Sequence, residues 1–480
     1  MKTEINRRQF LQQTAAGAFA LTCPNVLAFG LSKTKSPLVT PVWQRSKVKV
    51  ARLYMANTEQ GGVTGLWPKP DLDLKKEIKF YESQFTKISK EISDIDFVID
   101  QLVGSPEQVA GLKDKLQDID GILVIHLNLN IRPVLEEIMK LNAPTMIFAA
   151  PYSGHEWTAF GSLRKDHKMD CILTSDYTQL ALALKPFRAI RHLKESKILD
   201  VTDNLPPEYA ANVKKKFGTK IIQINLQQML DAYNSVDDKE SKAETSRWIK
   251  DAEKVVEPPK DEIHKSCRLA LAFQKLLEQQ NANVITVDCY GSMYHKLPAF
   301  PCVGFTRLND MGLGGICESD LRCAMTHLIL QGLTGKPSFI SDPTFDVSNN
   351  SIILAHCLGS TRMDGPESKA APYKLRTIME RREGVVPQVK MKIGRKVTQT
   401  LLVGTERMPY FTGTIIDSPV DVRFDRGCRT KIVVQVDGDA EKLWQNWSDG
   451  LHRQTCYGIV TKELGYYCKL NDIKLFNQAV

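Results

Sequence analysis

The chain has 480 residues, of which 42% are hydrophobic and 25% are charged, and its formal net charge is +9. This length exceeds what one hydrophobic core supports, so the composition predicts an ordinary globular protein of two or three domains. The positive charge is modest for this size and is not concentrated in one stripe, so nucleic-acid binding is not predicted.

The first 28 residues have the pattern of an export signal. Asn6-Arg7-Arg8-Gln9-Phe10-Leu11 precedes a weakly apolar stretch, and a small-residue cleavage pattern ends at Ala28. This order is typical of a twin-arginine leader, and it is too short for a stable membrane anchor. We therefore expect a periplasmic or secreted protein, without a membrane anchor, that uses the twin-arginine export machinery. The alternative is a cytoplasmic protein whose amphipathic helix happens to contain two arginines.

Strand and helix patterns alternate in the next region, residues 45–175. In chain order the apolar strand patterns and the helical patterns lie at 48–54, 74–92, 95–99, 106–116, 121–126, 133–141 and 145–150. Strands separated by helices predict βαβ units and a parallel, Rossmann-like sheet with helices on both faces.

Two loops of this first domain follow predicted strands, at the edge where open α/β sheets bind ligands. One loop begins at His126, and the other carries Tyr152 and Trp157. These side chains and Trp67 are candidates for substrate binding, the aromatic rings by stacking on a sugar face. Aromatic residues in an α/β domain are more often part of the core.

A second Rossmann-like α/β domain is predicted for residues 176–335 and a β-rich domain for residues 336–480. In the second domain, strands are predicted at 197–201, 220–224 and 283–287, and helices at 206–216, 237–253 and 262–280. In the last domain, short strands separated by glycine turns are predicted at 385–391, 397–403, 410–416 and 431–436. The predicted fold is therefore α/β, with two parallel-sheet domains followed by a small β-barrel-like or antiparallel domain.

Four side chains of metal-ligand type lie in the C-terminal third of the chain: Glu318, Asp342, His356 and His452. Glu318 ends a glycine-rich turn just before a helical pattern at 321–333, while Asp342 and His356 are each predicted at the end of a strand. Two carboxylates with imidazole are ligands that suit a hard divalent ion. They fit such an ion better than they fit a zinc site, which typically contains thiolates. Isolated acids and histidines at strand ends are more often turn formers or helix caps, so the residues alone leave a shared site open.

The eleven cysteines indicate neither a disulfide framework nor a zinc ribbon, because their number is odd and no Cys-x-x-Cys pair occurs. Cys317 and Cys357 adjoin Glu318 and His356. Neighbouring residues on a strand point to opposite faces, so Cys357 is predicted to point away from His356. We interpret both cysteines as small, buried packing residues.

The spacing of the four candidate ligands resembles that of the L-arabinose isomerase and L-fucose isomerase superfamily. Asp342 lies 24 residues after Glu318, His356 lies 14 after Asp342, and His452 lies 96 after His356. The segment Ile-Leu-Ala-His-Cys-Leu-Gly at 353–359 is similar to the stretch that carries the family's first histidine. The resemblance implies that the four residues bind one divalent ion, with Mn²⁺ favoured and Co²⁺ or Mg²⁺ as alternatives.

The resemblance extends into the first domain, with departures. Residues 118–126 and 143–149 are similar to a strand, helix and strand of arabinose isomerase. The family's His-Thr pair is His126-Leu127 here, and a histidine-containing turn is replaced by Ala150-Pro151-Tyr152. In the family this domain completes a neighbouring subunit's active site, so the resemblance implies a homo-oligomer, either a trimer or a hexamer.

The activity that the resemblance implies is a metal-dependent aldose/ketose isomerase of carbohydrate metabolism, which acts on a small-molecule sugar through an ene-diol. The metal would polarise the carbonyl, and Glu318 and Asp342 would take and return the proton. Arg307 and Asn309, which precede the glycine turn, are candidates to bind sugar hydroxyls. The alternative is a non-catalytic periplasmic carbohydrate-binding protein on the same fold, which the altered first-domain loops allow.

Overall fold

The computed structural model describes residues 46–58, 67–69, 71–419 and 426–480. The predicted leader at residues 1–28 lies outside these ranges. Within them, no helix is long and apolar enough to cross a membrane. All described residues belong to one compact unit, so the predicted domain boundaries near 175 and 335 stay a prediction.

The strands, in chain order, are β1 (Val48–Met55), β2 (Ile95–Val103), β3 (Gly121–His126), β4 (Thr145–Ala149), β5 (Met169–Leu173), β6 (Lys197–Val201), β7 (Lys220–Ile224), β8 (Lys254–Val255), β9 (Val284–Val287), β10 (Gly314–Cys317), β11 (Phe339–Asp346), β12 (Ser351–His356), β13 (Tyr373–Arg376), β14 (Val386–Val389), β15 (Lys396–Thr400), β16 (Arg407–Asp417), β17 (Thr430–Val436), β18 (Arg453–Tyr457) and β19 (Lys474–Asn477).

The α-helices, in chain order, are α1 (Leu74–Lys87), α2 (Pro106–Ala110), α3 (Arg132–Lys140), α4 (Trp157–Asp166), α5 (Gln179–Glu195), α6 (Pro207–Phe217), α7 (Leu226–Asn234), α8 (Asp238–Asp251), α9 (Lys260–Gln280), α10 (Cys302–Asp310), α11 (Leu321–Thr334), α12 (Ala440–Gln445) and α13 (Thr461–Leu470). The helix predicted at 106–116 is instead two short pieces, α2 and a 3-10 turn at Lys113–Leu116. The helix predicted as exposed at 237–253 buries one face, because Trp248 is only 2% exposed.

The first sheet is parallel throughout and has the order β2-β1-β3-β4-β5. β3 and β4 are buried along their whole length. This is the pattern of strands that are covered by helices on both faces. The predicted α/β type of this region is therefore confirmed.

The second sheet is also parallel, with the order β10-β9-β6-β7. The predicted glycine-rich turn before Glu318 is wrong in part, because β10 begins at Gly314. Glycine is needed here for packing: a Cβ on Gly315 would lie 2.3 Å from the Cα of Phe305 in α10. The close approach of α10 explains Gly315, and the side chain of Val284 in β9, 2.8 Å from a Cβ on Gly314, explains Gly314.

The third sheet is mostly antiparallel and has the order β15-β18-β11-β12-β17-β16-β19, with a further pairing between β15 and β16. A small fourth sheet has the order β14-β13-β8. The predicted β-rich C-terminal region is confirmed, whereas its barrel geometry stays a prediction.

The predicted strand end at Asp342 is wrong, because β11 continues to Asp346. Residues 339–341 pair with β18, and residues 342–346 pair with β12 on the other side. The apolar run stops at Ile340 because the later part of the strand is only half-buried, but backbone pairing carries the strand further. Asp342 therefore lies where β11 changes its partner.

Candidate metal centre

Glu318 follows β10 directly, at the carboxyl edge of the second sheet. Glu318 and Ser319 have φ angles of +60° and +49°, in the left-handed region that residues other than glycine seldom adopt. The Ser319 hydroxyl donates to Asp200 Oδ1 at 2.6 Å and so holds this turn. Asp320 then caps α11, because its side chain accepts the backbone N–H of Cys323 at 2.9 Å. The turn places Glu318 between the sheet and the helix.

Neighbouring strands of the third sheet bring the other three candidates together. Asp342 pairs in register with Ala355 of β12, the residue before His356. His452 directly precedes β18, which pairs with β11. Ligand atoms of Asp342, His356 and His452 lie within 4.8 Å of one another.

His452 connects Glu318 to this group. Its Nε2 lies 3.2 Å from Asp342 Oδ1 and 3.6 Å from Glu318 Oε2. Ligand atoms of Glu318 and His356 also lie within 4.8 Å of each other, in a set that includes Cys317. The structure therefore brings the four predicted ligands, Glu318, Asp342, His356 and His452, into one cluster, which we call the metal cluster.

Several buried polar atoms of the metal cluster have no hydrogen-bond partner. Both ring nitrogens of His356, a residue only 2% exposed, lack one, and so does Asp342 Oδ1. The nearby His452 Nε2 does not satisfy that oxygen with a hydrogen bond. Buried polar groups are nearly always paired, and an unpaired one costs about 1–3 kcal/mol. A divalent ion would partner Asp342 Oδ1 and one of the two His356 ring nitrogens, so the residues present fit a metal.

Burial sets the protonation of the metal cluster. It lowers the pKa of His356 to about 3, so this imidazole is neutral at physiological pH, which is the form that binds a metal. Burial raises the pKa of Glu318 and of Asp342. Burial alone would lower the pKa of His452, but the surrounding carboxylates, with that of Asp320 first, raise it. Protons held in this way are the ones that a bound ion displaces.

Asp320 is a site residue that the sequence analysis missed. Its Oδ2 lies 3.2 Å from Nδ1 of His452, the ring nitrogen opposite the one that faces Glu318 and Asp342. A carboxylate on the second nitrogen of a ligating histidine fixes the ring and strengthens the ligand. The only signal in the sequence was Ser-Asp before a helical pattern, which predicts a helix cap and nothing more.

A cavity of about 500 Å³ opens beside the metal cluster. The residues that line it are Pro206, Tyr209, Glu318, Ser319, Asp320, Leu321, Arg322, Leu451 and His452. Its volume is in the range of small-molecule sites. A second cavity of about 720 Å³, which Cys289 and Arg382 help to line, contains none of the four predicted ligands. The smaller cavity is therefore the one that belongs to the metal cluster.

Tyr209 of α6 is one of the residues that line this cavity. Burial raises the pKa of its hydroxyl, the charge of Asp320 raises it further, and Arg322 opposes the rise. The buried hydroxyl has no hydrogen-bond partner. Tyr209, Asp320 and Arg322 are therefore close neighbours in the cavity wall.

Cys317 is buried as predicted, but it lies closer to the metal cluster than a packing role implies. Its Sγ belongs to the set with Glu318 and His356, and it lies 3.6 Å from Cys289 Sγ. The contact with the Cys289 thiol and burial together raise the pKa of Cys317, so it is a neutral thiol. Cys357 Sγ instead contacts the Sγ of Cys428 at 3.8 Å, in line with its predicted direction away from His356.

Arg307 and Asn309 do not line the cavity, and they lie in α10 rather than in the predicted loop. Arg307 is 7% exposed, and its Nε lies 3.0 Å from Glu244 Oε1. The Asn309 side chain binds both the N–H and the C=O of Gly315, at 2.8 and 3.1 Å. Both side chains therefore have structural roles, and Asn309 stabilises β10, the strand that ends before Glu318.

The candidate residues of the first domain form a separate group at the carboxyl edge of the first sheet. His126 is fully buried, with Nδ1 at 2.8 Å from Ser153 Oγ and Nε2 at 2.5 Å from Glu156 Oε2. Glu156 Oε1 also accepts the backbone N–H of Ile131 at 3.0 Å. His126 and Glu156 therefore tie the loop after β3 to the loop after β4.

The aromatic candidates surround this group. The ring of Trp67 packs against His155 with 4.3 Å between centroids. Tyr152 is 73% exposed and Trp157 is 37% exposed. In the part of the chain that the structure describes, none of these side chains makes a hydrogen bond, ion pair or ring contact with the metal cluster. The predicted substrate residues of the first domain are thus not joined to the metal cluster within this chain.

Comparisons with known proteins agree with a sugar isomerase at a coarse level. No protein-family model matches the chain. The chain is 26% identical over 215 residues to a sulfoquinovose isomerase of Clostridium sp. (strain MSTE9), which covers 41% of this chain and 44% of that protein. It is 22% identical over 187 residues to a sulfoquinovose isomerase of Alkalicoccus urumqiensis, and this match covers 36% of this chain and 41% of that protein. The chain therefore spans less than half the length of these curated relatives, and membership in the fucose/arabinose isomerase superfamily stays a prediction.

Proposed function

We propose that the protein is a metal-dependent aldose/ketose isomerase of carbohydrate metabolism, with sulfoquinovose or a related acidic sugar as its substrate. The observation that carries the proposal is the convergence of two carboxylates and two imidazoles with buried atoms that lack partners. The names of the two relatives support the reaction type and the substrate.

Glu318, Asp342, His356 and His452 would hold one divalent ion. Carboxylate and imidazole ligands suit Mn²⁺, with Co²⁺ and Mg²⁺ as alternatives. When bound, such an ion polarises the carbonyl of an open-chain sugar and stabilises the negative charge that develops beside it.

Glu318 and Asp342 would move the proton between C1 and C2 of the sugar. One carboxylate removes the proton from one carbon, and a carboxyl returns it to the neighbouring carbon. Burial raises the pKa of both groups, which makes each a stronger base than an exposed carboxylate. His356 stays neutral, and Asp320 keeps the His452 ring in place.

The variant Glu318→Ala tests the proposal. The wild type loaded with Mn²⁺ is expected to interconvert sulfoquinovose and its ketose, with deuterium from solvent appearing at C2. Glu318→Ala is expected to lose bound metal, measured by elemental analysis, together with that activity. Glu240→Ala, at an exposed glutamate of α8, is the matched control and should keep both.

Two results would count against the proposal. Full occupancy by Mn²⁺ in Glu318→Ala would show that Glu318 is not a metal ligand. Sugar binding without deuterium exchange in the wild type would support the alternative, a non-catalytic carbohydrate-binding protein.

We also propose that residues 1–28 are a twin-arginine leader and that the mature protein is periplasmic or secreted. The Arg7-Arg8 pattern supports this location. A homo-oligomer, in which the first domain completes a neighbour's site, is supported by the separation of the His126 group from the metal cluster and by the exposure of Tyr152. Sequencing the N-terminus of the exported protein and light scattering test these two proposals.

A further inference from the structure

We infer that Arg322 and Tyr209 form a subsite for the anionic group of an acidic sugar, in the cavity beside the metal cluster. The inference rests on the proposed isomerase function. The group recognised would be a tetrahedral oxyanion on the terminal carbon of the sugar, either a sulfonate or a phosphate.

Arg322 supplies the positive charge. It is the second residue of α11 and, among the described residues that line the cavity, the sole arginine or lysine. Its Nη1 donates to the backbone carbonyl of Asp449 at 2.9 Å, and its Nη2 lies 3.7 Å from Asp320 Oδ2. A guanidinium has five N–H donors, and this side chain is 39% exposed. Donors therefore remain for a ligand in the cavity.

The backbone at Gly450 fixes the position of the guanidinium. Gly450 has a φ of +128°, and a Cβ there would lie 2.8 Å from Arg322 Nη2. The guanidinium thus lies between this glycine and the Asp320 carboxylate. A cation held in place before the ligand arrives loses less conformational entropy on binding.

Tyr209 of α6, which also lines the cavity, supplies a second donor. Its hydroxyl is buried and unpaired, although Asp320 and Arg322 are close to it. Buried hydroxyls in folded proteins are usually paired, so an unpaired one on a cavity wall points to a ligand. Arg322 and Tyr209 together offer a charged and a neutral donor, which is the combination that binds an oxyanion.

Asp320 connects this subsite to the metal cluster. The same oxygen, Oδ2, lies 3.2 Å from His452 Nδ1 and 3.7 Å from Arg322 Nη2. The other ring nitrogen of His452 faces Glu318 and Asp342. The metal cluster and the subsite therefore lie on either side of the Asp320 and His452 pair, in a cavity that is large enough for a hexose.

Charge explains why such a sugar needs Arg322. Glu318 and Asp320 line the cavity, Asp342 lies close to Glu318, and these carboxylates disfavour an anion. A positioned cation offsets that repulsion for a sulfonated or phosphorylated sugar and contributes little to a neutral one. The subsite would therefore set specificity for the charge of the sugar.

Calorimetric titration of the full chain loaded with Mn²⁺ tests the subsite independently of turnover. The ligands are sulfoquinovose, glucose 6-phosphate and the neutral 6-deoxyglucose. Arg322→Gln is expected to weaken binding of the preferred anionic sugar by about 10- to 150-fold, the range for a hydrogen bond to a charged group, with 6-deoxyglucose changed less than about twofold. Arg322→Lys should recover part of the loss, and Tyr209→Phe should cost about 3- to 10-fold.

Arg395→Gln, at an exposed arginine that pairs with Asp364, is the matched control and should bind all three sugars as the wild type does. An equal loss of anionic and neutral sugar in Arg322→Gln would overturn the inference, because Arg322 would then act only by positioning Asp320. Failure of the wild type to bind either anionic sugar would also overturn it. Preference for glucose 6-phosphate would keep the subsite and assign it to a phosphate. Charge-dependent binding without isomerisation would contradict the proposed function while supporting the subsite.

Discussion

Replacing Asp320 by Asn removes the negative charge that faces His452 and preserves the helix that Asp320 caps. Asn and Asp are about equally good N-cap residues, and the Asn side-chain oxygen can still accept the N–H of Cys323. The variant should therefore fold with α11 intact. Its effect on metal affinity should come from the weaker hold on His452.

The structure sets the size of that effect. Loss of a carboxylate behind a ligating histidine costs about 10- to 100-fold in metal affinity. Asp320 Oδ2 lies 3.2 Å from His452 Nδ1, which is longer than the usual charge-assisted hydrogen bond of about 2.7–2.9 Å. The contact that is lost is therefore a weak one, and the amide nitrogen of Asn, whose single oxygen stays with the Cys323 N–H, does not replace it. We therefore expect the lower end, about tenfold, which is about 1.4 kcal/mol.

The measurement is a titration of the metal-free protein with Mn²⁺, in which the free ion is followed by electron paramagnetic resonance. Asp237→Asn is the control, because Asp237 caps α8 in the same way, with its Oδ1 accepting the N–H of Glu240 at 3.0 Å. This control should leave the Mn²⁺ affinity unchanged. An unchanged affinity in Asp320→Asn, or an equal fall in both variants, would refute the orienting role.

Three further predictions concern the surroundings of the metal cluster. Burial raises the pKa of Asp200 from 3.8 to about 6, so its ionisation destabilises the fold as the pH rises from about 4 to 6. Between pH 4 and pH 8, the free energy of unfolding of metal-free Asp200→Asn should rise by about 3 kcal/mol relative to that of the wild type, as measured by urea unfolding. A difference between the two proteins that does not change with pH would contradict this. Gly315→Ala should lower stability by about 1–3 kcal/mol and weaken Mn²⁺ binding, because the new Cβ would meet Phe305. The control Gly161→Ala places its Cβ in open space and should have neither effect. His126→Gln should lower the melting temperature through loss of two buried partners, at a cost of about 1–3 kcal/mol, and leave the Mn²⁺ affinity unchanged. A changed Mn²⁺ affinity would show that the two groups communicate.

Strands with continuous apolar or β-branched runs could be predicted from the sequence, even where the strand lies at a sheet edge as β7 does. β3, β6 and β7 have the predicted bounds, because their apolar or β-branched runs are closed by polar or turn-forming residues. β10 was missed because two glycines in a row favour a turn, and only their close neighbours, Val284 for Gly314 and Phe305 for Gly315, show why they are in a strand. The end of β11 was missed because its last residues are half-buried and polar, and pairing with β12 determines it.

The ligand set of the metal cluster could be predicted from spacing, whereas its supporting residues could not. His356 closes a strand that the sequence predicts, and Glu318 shortly precedes a predicted helix. Asp320, Arg322 and Tyr209 contribute through contacts between α6, α11 and the loop before β18. No local pattern records such contacts. Arg307 was predicted to bind substrate because it precedes a glycine-rich segment. In the structure its guanidinium instead pairs with the Glu244 carboxylate.

The position of Cys317 bears on how the protein acquires the correct ion. Two sets of ligand atoms share His356: Asp342, His356 and His452 form one, and Cys317, Glu318 and His356 form the other. A soft ion such as Zn²⁺ or Cd²⁺ gains a thiolate in the second set, which a hard ion such as Mn²⁺ does not seek. Protein purified in the presence of trace zinc would therefore be misloaded at His356 and inactive while fully folded. Selection of the metal by the proposed site would then depend on which ions are available to the protein, and not on affinity alone.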